Sequence, residues 1–570
     1  MTELLLKKDG GEWHRAYFST SGSGFKLVRE NPYFTQSESY TLDVVLPADI
    51  MQNRQLLGSL HRMDCTKQPP AYKCRLMVDN VLMLDGSAKI TQVTEREIKV
   101  QLFGGGSEVR FLSGNNEDYI DTLPLGTRST VDDLRVYSDI STGLPFSRSL
   151  IYNETAEEFV DPICCCHPQL VGVMRLVLAH YGFTMTDCFL DEEPWTNIYV
   201  ASALHTLDIA HKLPHWTVRD FMQEFSQFFN ATPVIDQVRK TVEFVSNKDF
   251  YGPSAKVHVL DPIDEYTAEL TADDSLTLLA NSNIAFDLSG SPSHDYDCLT
   301  DEQRKGLPRL SFEDGAALRE AYDSMEETKR RKYVFSAPGS DCVSWMYTDE
   351  NGGEQREYRV SIDRMKPLDR DSGKTTSLKI VPVAIGHELV TSTGAGKFRM
   401  YHGVPTVESP TRDEAPSPWT DDEGNVEFPD VQDVIQGTES IDKPEKEDRM
   451  QVMFDDGKTF PRAYSPMREY SLGFIDFGYK GDSEKLNNPW SLSLYPTSQG
   501  FAHCLGDLHQ NGFSFNEHAK CTFRFIAEAM PDPTRVYIIR GKRYGCEKIE
   551  ANVTAEGLDR LMTGYFYEIL

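Results

Sequence analysis

The 570-residue chain contains no run of about eighteen consecutive apolar residues, so no segment reads as a transmembrane helix. Its opening stretch, MTELLLKKDGGEW, has three consecutive leucines before two lysines. That is too short for a secretory apolar region, so no leader is expected. Cysteine is sparse and odd in number, at 11, which fits reduced thiols and a cytosolic setting rather than a disulfide framework. Positive charge is also short: 58 Lys and Arg face 88 Asp and Glu, a formal net charge of −30. Nucleic-acid affinity rests mainly on cations that release counterions, so this balance argues against direct DNA or RNA binding. It suits a surface past which DNA slides without sticking.

Signatures of catalysis are missing too. There is no G-x₄-G-K-[ST], no H-E-x-x-H and no G-x-S-x-G. GGEW (10–13) and FGGGSE (103–108) carry glycines without the G-x-G-x-x-G spacing of a phosphate cradle. Among so many carboxylates some pairs lie close by chance, and nothing singles out one pair.

What is present is an ordinary globular composition, 39% hydrophobic, with 25 Tyr and 30 Phe that lean toward β-structure. At about 150 residues per domain the length suits about four domains. Residues 1–125 read as an N-terminal β domain, a small barrel or sandwich. In YTLDVVLP (40–47) alternate residues share a face until Pro47 ends the strand. YKCRLMV (72–78) alternates likewise. Turns are expected at Asp79-Asn80, at Asp85-Gly86 and across 94–96, between AKITQV (88–93) and EIKVQLF (97–103).

Residues 126–262 read as an α+β domain. In PQLVGVMRLVLAHYG (168–182) Leu170, Val173, Met174, Val177 and Tyr181 share a helical face, with Pro168 at the start and Gly182 at the stop. TVRDFMQEFSQFFN (217–230) is a second helix, capped by Thr217 with Asp220 in the capping-box position. Its stripe of Val218, Phe221, Met222, Phe225, Phe228 and Phe229 reads as core rather than a cofactor box, since no polar groups converge on it. PVIDQVRKTVEFVS (233–246) reads as a hairpin. Residues 263–406 are expected to be β-rich, with a charged helical stretch near 315–330, a strand at LKIVPVAIG (378–386), and RKYVF (331–335) paired with DCVSWMYTD (341–349). Residues 407–450 form an acidic flexible loop or linker: 407–449 hold 14 Asp/Glu, 4 Lys/Arg and 5 prolines. TDDEGNVE (420–427) has its glycine at the wrong offset for a calcium loop. Residues 451–570 form a C-terminal β domain, with strands at SLSLY (491–495), CTFRFIAE (521–528) and RVYIIRGKRYGCEKIEANV (535–553), the last turning at Gly541-Lys542.

PICCCHPQL (162–170) is the strongest chemical candidate. Cys164 and Cys166 fall on one side of an extended chain, and His167 and Cys188 are further conceivable ligands. No second knuckle completes a tetrahedral site. A Cys166–His167 nucleophile pair needs a spatial arrangement that adjacency does not provide. The reading taken is structural: small soft cysteines fill space ahead of the helix. His211 and His215 in HTLDIAHKLPHW (205–216) are separated by Pro214 from any shared helix, so a solvated or capping role is taken. No catalytic, cofactor-binding or metal residues are assigned, and no cofactor is expected.

Three stretches carry a resemblance: ENPYFTQSESYTLDVVLPADIMQNRQLLG (30–58), with five residues between Leu46-Pro47 and Asn53-Arg54; LMLDGSAKITQVTEREIKVQLFGG (82–105); and HWTVRDFMQEFSQFFNATPVIDQVRKTVEFVSNKDF (215–250). Together they resemble tail proteins of Bacteroides-type phages and prophages and, more broadly, the baseplate hub family of tailed phages. The resemblance implies a multidomain, mainly β chain with an α+β middle domain and tube-like β-barrels. It further implies a non-enzymatic homotrimer, whose ring caps the tail tube and anchors the tip or spike. Its expected partners are a tail-tube or distal tail protein and a tip or spike protein, with DNA passing unbound. Its expected place is the virion tail tip, after assembly in the host cytoplasm. The alternative reading is a tail-associated or surface protein that binds or degrades glycan.

Overall fold

A computed structural model describes residues 2–8, 10–19, 24–34, 39–41, 44–65, 72–104, 118–126, 144–147, 149, 151–153, 158–160, 167–204, 208–236, 239–252, 255–263, 265–270, 279–288, 309–312, scattered positions from 317 to 329, 333–337, 340–348, 355–361, 367–370, 374–393, 396–407, 419–420, 426–427, 449–459, 471–474, 476–477, 490–494, 503–510 and 512–570. It is mainly β, with several sheets.

Eight strands come from the N-terminal region: β1 (Thr2–Lys8), β2 (Trp13–Ala16), β3 (Phe25–Glu30), β4 (Ser39–Thr41), β5 (Val44–Pro47), β6 (Tyr72–Val78), β7 (Val81–Val93) and β8 (Glu97–Gly104). Period-two patterning decides their faces: Leu4, Leu6, Tyr72, Cys74, Leu76, Val78, Ile98, Val100 and Leu102 all point into one core. The turn at Asp79-Asn80 forms as expected, with both residues in the left-handed region (φ +52° and +63°). Asp85-Gly86 is not a turn. Both lie inside β7, where Asp85 pairs with Arg75 across the sheet at 3.1 Å and Gly86 sits between Cys74 and Gly104. The chain has already reversed at Asn80, so a second reversal there would break the β6–β7 ladder.

After a short helix α1 (Met51–Leu56), the middle of the chain builds α2 (Leu170–His180), α3 (Val218–Phe228) and an antiparallel hairpin of β9 (Ala231–Asp236) and β10 (Thr241–Ser246). Pro168 does not start α2. It lies in a two-residue strand against Phe146, and Gln169 precedes the helix. Proline suits an edge position there because it has no N–H to pair. Gly182 ends the helix at φ +76°. Thr217 caps α3 by accepting the Asp220 N–H at 3.1 Å. The aromatic stripe is buried as expected. Phe225 packs on Phe229 and Phe244 with ring centroids 4.8 and 5.0 Å apart. Burying each such ring contributes roughly 1.5–3 kcal/mol. The segment 378–386 is not one strand. Leu378 ends a strand parallel to 283–286, Ile380–Pro382 run beside Met450–Val452, and a third strand starts at Ala384. A fully buried apolar run carries no period to mark such breaks. Val334 and Phe335 pair with Val343 and Cys342, giving the expected hairpin. The acidic segment lies largely outside the described residues, as does most of 315–330.

Edge strands β11 (Val257–Val259) and β12 (Thr267–Leu270) then lead to β13 (Phe515–Ile526), β14 (Val536–Ile539), β15 (Lys542–Val553) and β16 (Leu558–Ile569). The β14–β15 turn is Arg540-Gly541 (φ +51° and +81°), one residue before the expected position. Among the described residues of SLSLY, 491–494, only Ser491 lies in a strand. Beyond it the Ser493 N–H bonds the Ser491 hydroxyl, a local bond that bends the backbone.

These six strands do not form a sheet of their own. β3 pairs with β15 from Phe25↔Val553 to Glu30↔Lys548, so both ends of the chain share one 14-stranded sheet and one core. Gly24 makes the junction possible. Its φ is +76°, and a Cβ there would sit 2.1 Å from the Val553 carbonyl oxygen. The hydrogen-bonded path runs β12-β13-β16-β15-β3-β4-β8-β7-β6-β1-β2, with β5 on β8 and β11-β14 on β15. It stays open among the described residues, where the resemblance implied closed barrels. β3 gives one edge to β4 and the other to β15, and β2 and β12 end the path.

Between this sheet and the α3 core lies an aromatic cluster of Tyr33, Phe34, Tyr251, Phe513, Phe515 and Tyr567. Asn31, fully buried, fixes it. Its amide donates to the Tyr251 hydroxyl and to the Pro533 and Cys546 carbonyls at 2.8, 3.0 and 2.8 Å. Burial and the neighbouring Tyr33 raise the Tyr251 phenol far above its usual range, so the hydroxyl stays protonated.

Candidate functional site

The triple cysteine, Cys164 to Cys166, lies outside the described residues. His167 is described and fully buried. Its Nδ1 accepts the Ser202 N–H at 3.3 Å and its Nε2 donates to the Ser149 carbonyl at 3.2 Å. Burial, with Lys212 nearby, pushes its pKa down to about 3. Both nitrogens are engaged and the ring is neutral, so this histidine holds backbone. Cys188 caps the short turn Phe189–Asp191, whose Asp191 accepts the Cys188 N–H at 2.8 Å. Its thiol is raised by burial, away from thiolate chemistry. His215 stacks on Tyr119 at 3.9 Å, and its Nδ1 faces both carboxylate oxygens of Asp121 at 3.1 Å. His509 is buried, donates from Nε2 to the Phe228 carbonyl at 3.1 Å, and is also pushed down to about 3 by burial. Among the described residues no three His, Cys, Asp or Glu side chains gather as metal ligands.

The residues behind the resemblance turn out to be fasteners. Asn53 is fully buried. Its amide donates to the Tyr17 and Pro47 carbonyls at 2.7 and 2.9 Å, and its oxygen accepts the Tyr17 N–H at 3.0 Å. Arg54 Nε donates to the Ala48 carbonyl at 2.5 Å. The spacing from Leu46-Pro47 to Asn53-Arg54 thus closes a loop over the edge strand β2. In the third stretch, Thr217 and the aromatic stripe do the same for α3.

The chemistry on display lies on the large sheet. On the outer face of β3, β15, β16 and β13 stands a ladder of lysines, glutamates and tyrosines. Period-two alternation puts Lys548, Glu550 and Tyr565 outward while Ile549, Ala551 and Phe566 point inward. Lys26 and Lys548 approach Glu550 at 2.9 and 3.3 Å. Lys520 pairs with Glu547 and lies over the Tyr565 and Tyr567 rings at 5.6 and 5.9 Å. Lys548 sits 4.7 Å from the Tyr565 ring centroid. Burial alone would raise the Glu550 carboxyl, but Lys26 and Lys548 outweigh it and hold it below its usual value. Burial and Glu550 raise Tyr565; burial and Glu547 raise Tyr567. The ladder is a fixed polar surface of protonated tyrosines and charged lysines. Sequence pattern placed these strands without showing that their partners come from the other end of the chain.

The two ends of the sheet differ. At the β2 end, Trp13 lies between the Arg75 guanidinium (4.5 Å) and the Lys7 ammonium (6.0 Å), with Glu12, His14 and Lys73 exposed beside it and Arg15 paired with Glu3 at 3.1 Å. Toward the other end, β11 exposes Val257 and Val259, and 261–270 exposes Ile263, Tyr266 and Leu270, among Lys256, Asp261, Glu265 and Glu269. Leu270 is 82% exposed and Val259 69%.

No family model and no curated protein matches the chain. Among solved structures it is similar to a tail protein from Neisseria meningitidis MC58, at 8% identity and a TM-score of 0.32 over 100% of this chain and 96% of that one. It is likewise similar to a 43 kDa tail protein of prophage MuSo2 from Shewanella oneidensis, at 7% identity and a TM-score of 0.32 over 99% and 96%. Likeness at that level leaves the fold and its use to be argued from this chain's own residues.

Proposed function

We propose that the chain is a structural protein of a phage tail tip: a homotrimeric hub ring that caps the tail tube and anchors a tip or spike. The observation that carries this reading is the large open sheet. Both ends of the chain are committed to it, and it presents a fixed polar face. The motif residues behind the resemblance fit the same reading, because Asn53, Arg54 and Thr217 bond to backbone and serve shape. In this reading the protein performs no turnover and needs no cofactor. Its acidic balance lets DNA pass through the ring without adhering. Its partners are a tail-tube or distal tail protein on one side and the tip on the other.

Quantitative mass spectrometry of tailed particles, counting this chain against the tail-tube protein, tests the proposal. Three copies per particle support the hub. Six place the chain in a distal ring instead. Absence from particles overturns the tail reading and returns the surface glycan-binding or glycan-degrading one.

A further inference from the structure

We infer that the outer face of β1, β2, β6 and β7 is a docking surface for an acidic protein other than this chain, one that presents carboxylates around an apolar centre. The inference goes beyond the tail-hub reading and is tested without it.

Period-two alternation places Lys7 on this face of β1, Trp13 and Arg15 on β2, Lys73 and Arg75 on β6, and Lys89 on β7, while Leu6, Ala16, Cys74 and Ala88 point into the core. Register gathers them. Lys7 lies across from Trp13 on one side and from Lys73 on the other, Lys73 lies across from Ser87, and Lys89 follows two residues along the same face. The five cations share the face with two carboxylates, Glu3 and Asp85, which are taken by Arg15 and Arg75 at 3.1 Å each. Lys7, Lys73 and Lys89 have no acidic partner among the described residues. The next strand, β8, adds one charge of each sign, Lys99 and Glu97.

The other half of the same sheet is built differently. There Lys26, Lys520 and Lys548 each sit on a carboxylate, so their charge is neutralised within the chain. On β1 and β6 two lysines stand directly across from one another, an arrangement that repels. On a chain of net charge −30, unmatched lysines on three adjacent strands form a local excess that a partner's carboxylates would neutralise. Apolar side chains accompany them. Leu5 and Met77 are half-buried on this face, and Leu82, across from Met77, is 37% exposed. Trp13 is held against the Arg75 guanidinium. Apolar groups bordered by charge are the anatomy of a protein interface. A bare polyanion would need the cations alone. The same face of a second copy is also cationic, so two copies cannot share it across a twofold axis.

The experiment uses the purified full-length chain and two fluorescent probes, poly-glutamate and a random copolymer of glutamate and tyrosine, with binding read by anisotropy. Three variants are compared: Lys73→Glu with Lys89→Glu, Leu82→Ser, and Lys256→Glu as a control on an exposed lysine elsewhere. Unchanged thermal unfolding checks that each variant folds. Wild type is expected to bind the copolymer more tightly than poly-glutamate. The double lysine variant should lose about tenfold or more toward both probes. Leu82→Ser should weaken the copolymer alone, and Lys256→Glu should change neither. Failure of wild type to bind either probe, or an equal loss in the Lys256 variant, would overturn the docking face. Tighter binding of heparin or duplex DNA than of the copolymer, unaffected by Leu82→Ser, would replace the acidic protein with an anionic polymer and overturn the proposal. Self-association of wild type that the double lysine variant abolishes, seen by sedimentation equilibrium, would make the occupant a second copy and overturn it likewise. None of these results bears on the count of chains in tailed particles, so the tail reading stands or falls separately.

Discussion

The α3 core and the large-sheet core are both rich in aromatic residues, but they are assembled from different distances. The α3 unit is a short-range object. Its cap, its stripe and the hairpin that receives Phe225 all lie within residues 217–246. The large sheet is a long-range object, in which Lys26 meets Glu550 across a separation of 524 residues. The first is held by a helix face that the chain specifies locally. The second is held by register between strands that share nothing but complementary alternation. Local specification makes a region legible and quick to form; long-range register makes it dependent on the whole chain.

Removing Phe225 should separate the two regions most sharply. Phe225→Ala should cost about 3–5 kcal/mol, because the ring is fully buried among three others. Hydrogen exchange read by mass spectrometry should rise across 218–246 while β3 and β15 stay protected. Equal loss of protection in β3 would show that the two cores unfold as one.

Acid should also divide them. His167 and His509 have folded-state pKa values near 3, against about 6.5 when unfolded. The unfolded chain therefore binds more protons between those values. The stabilisation is fully present above about pH 6.5 and is lost as pH falls toward 3. From pH 7 to pH 5 each histidine should cost about 2 kcal/mol. Glu550, whose folded pKa is lowered, keeps its stabilisation until pH falls below the carboxylate range near 4. Urea unfolding with region-resolved exchange should find the histidine-bearing region softened at pH 5 and the sheet unchanged. Simultaneous softening would contradict this order.

Smaller changes probe the fasteners. Asn53→Ala leaves the Tyr17 backbone and the Pro47 carbonyl without their partner and should cost about 2 kcal/mol, with faster exchange confined to 13–17 and 47–54. A cost below a few tenths of a kcal/mol would mean that water replaces those bonds freely. Thr217→Ala removes one cap and should cost about 1 kcal/mol in chemical denaturation, visible only in the first turn of α3.

Legibility in the sequence followed the same division. The cap at Thr217, the stripe of α3, the hairpin after it and the turn at Asp79-Asn80 each depend on residues within a few positions of one another. Period and turn chemistry reveal such features. The pairing of β3 with β15 could not be read that way, since alternation shows which face of a strand is buried and not which strand lies beside it. Asp85-Gly86 misled because a good turn dipeptide also fits a strand when its carboxylate has a cross-strand arginine. The run 378–386 misled because Leu378, Ile380, Val381 and Val383 are all buried, so no alternation marks the breaks. Among the chemical candidates, His167 was legible as unusual but not as neutral; only its depth and the bonds to Ser149 and Ser202 decide that.

The β3–β15 pairing also has a consequence for synthesis. At about 5–20 residues per second, a ribosome that has made β3 needs on the order of half a minute or more to deliver β15. Throughout that interval the outer edge of β3 has no partner from its own chain. The β12 edge behaves oppositely, since it has no strand to lie against until β13 (Phe515–Ile526) emerges. The large sheet is therefore completed only when the last strands of the chain have emerged, and until then its N-terminal half folds without its long-range partners.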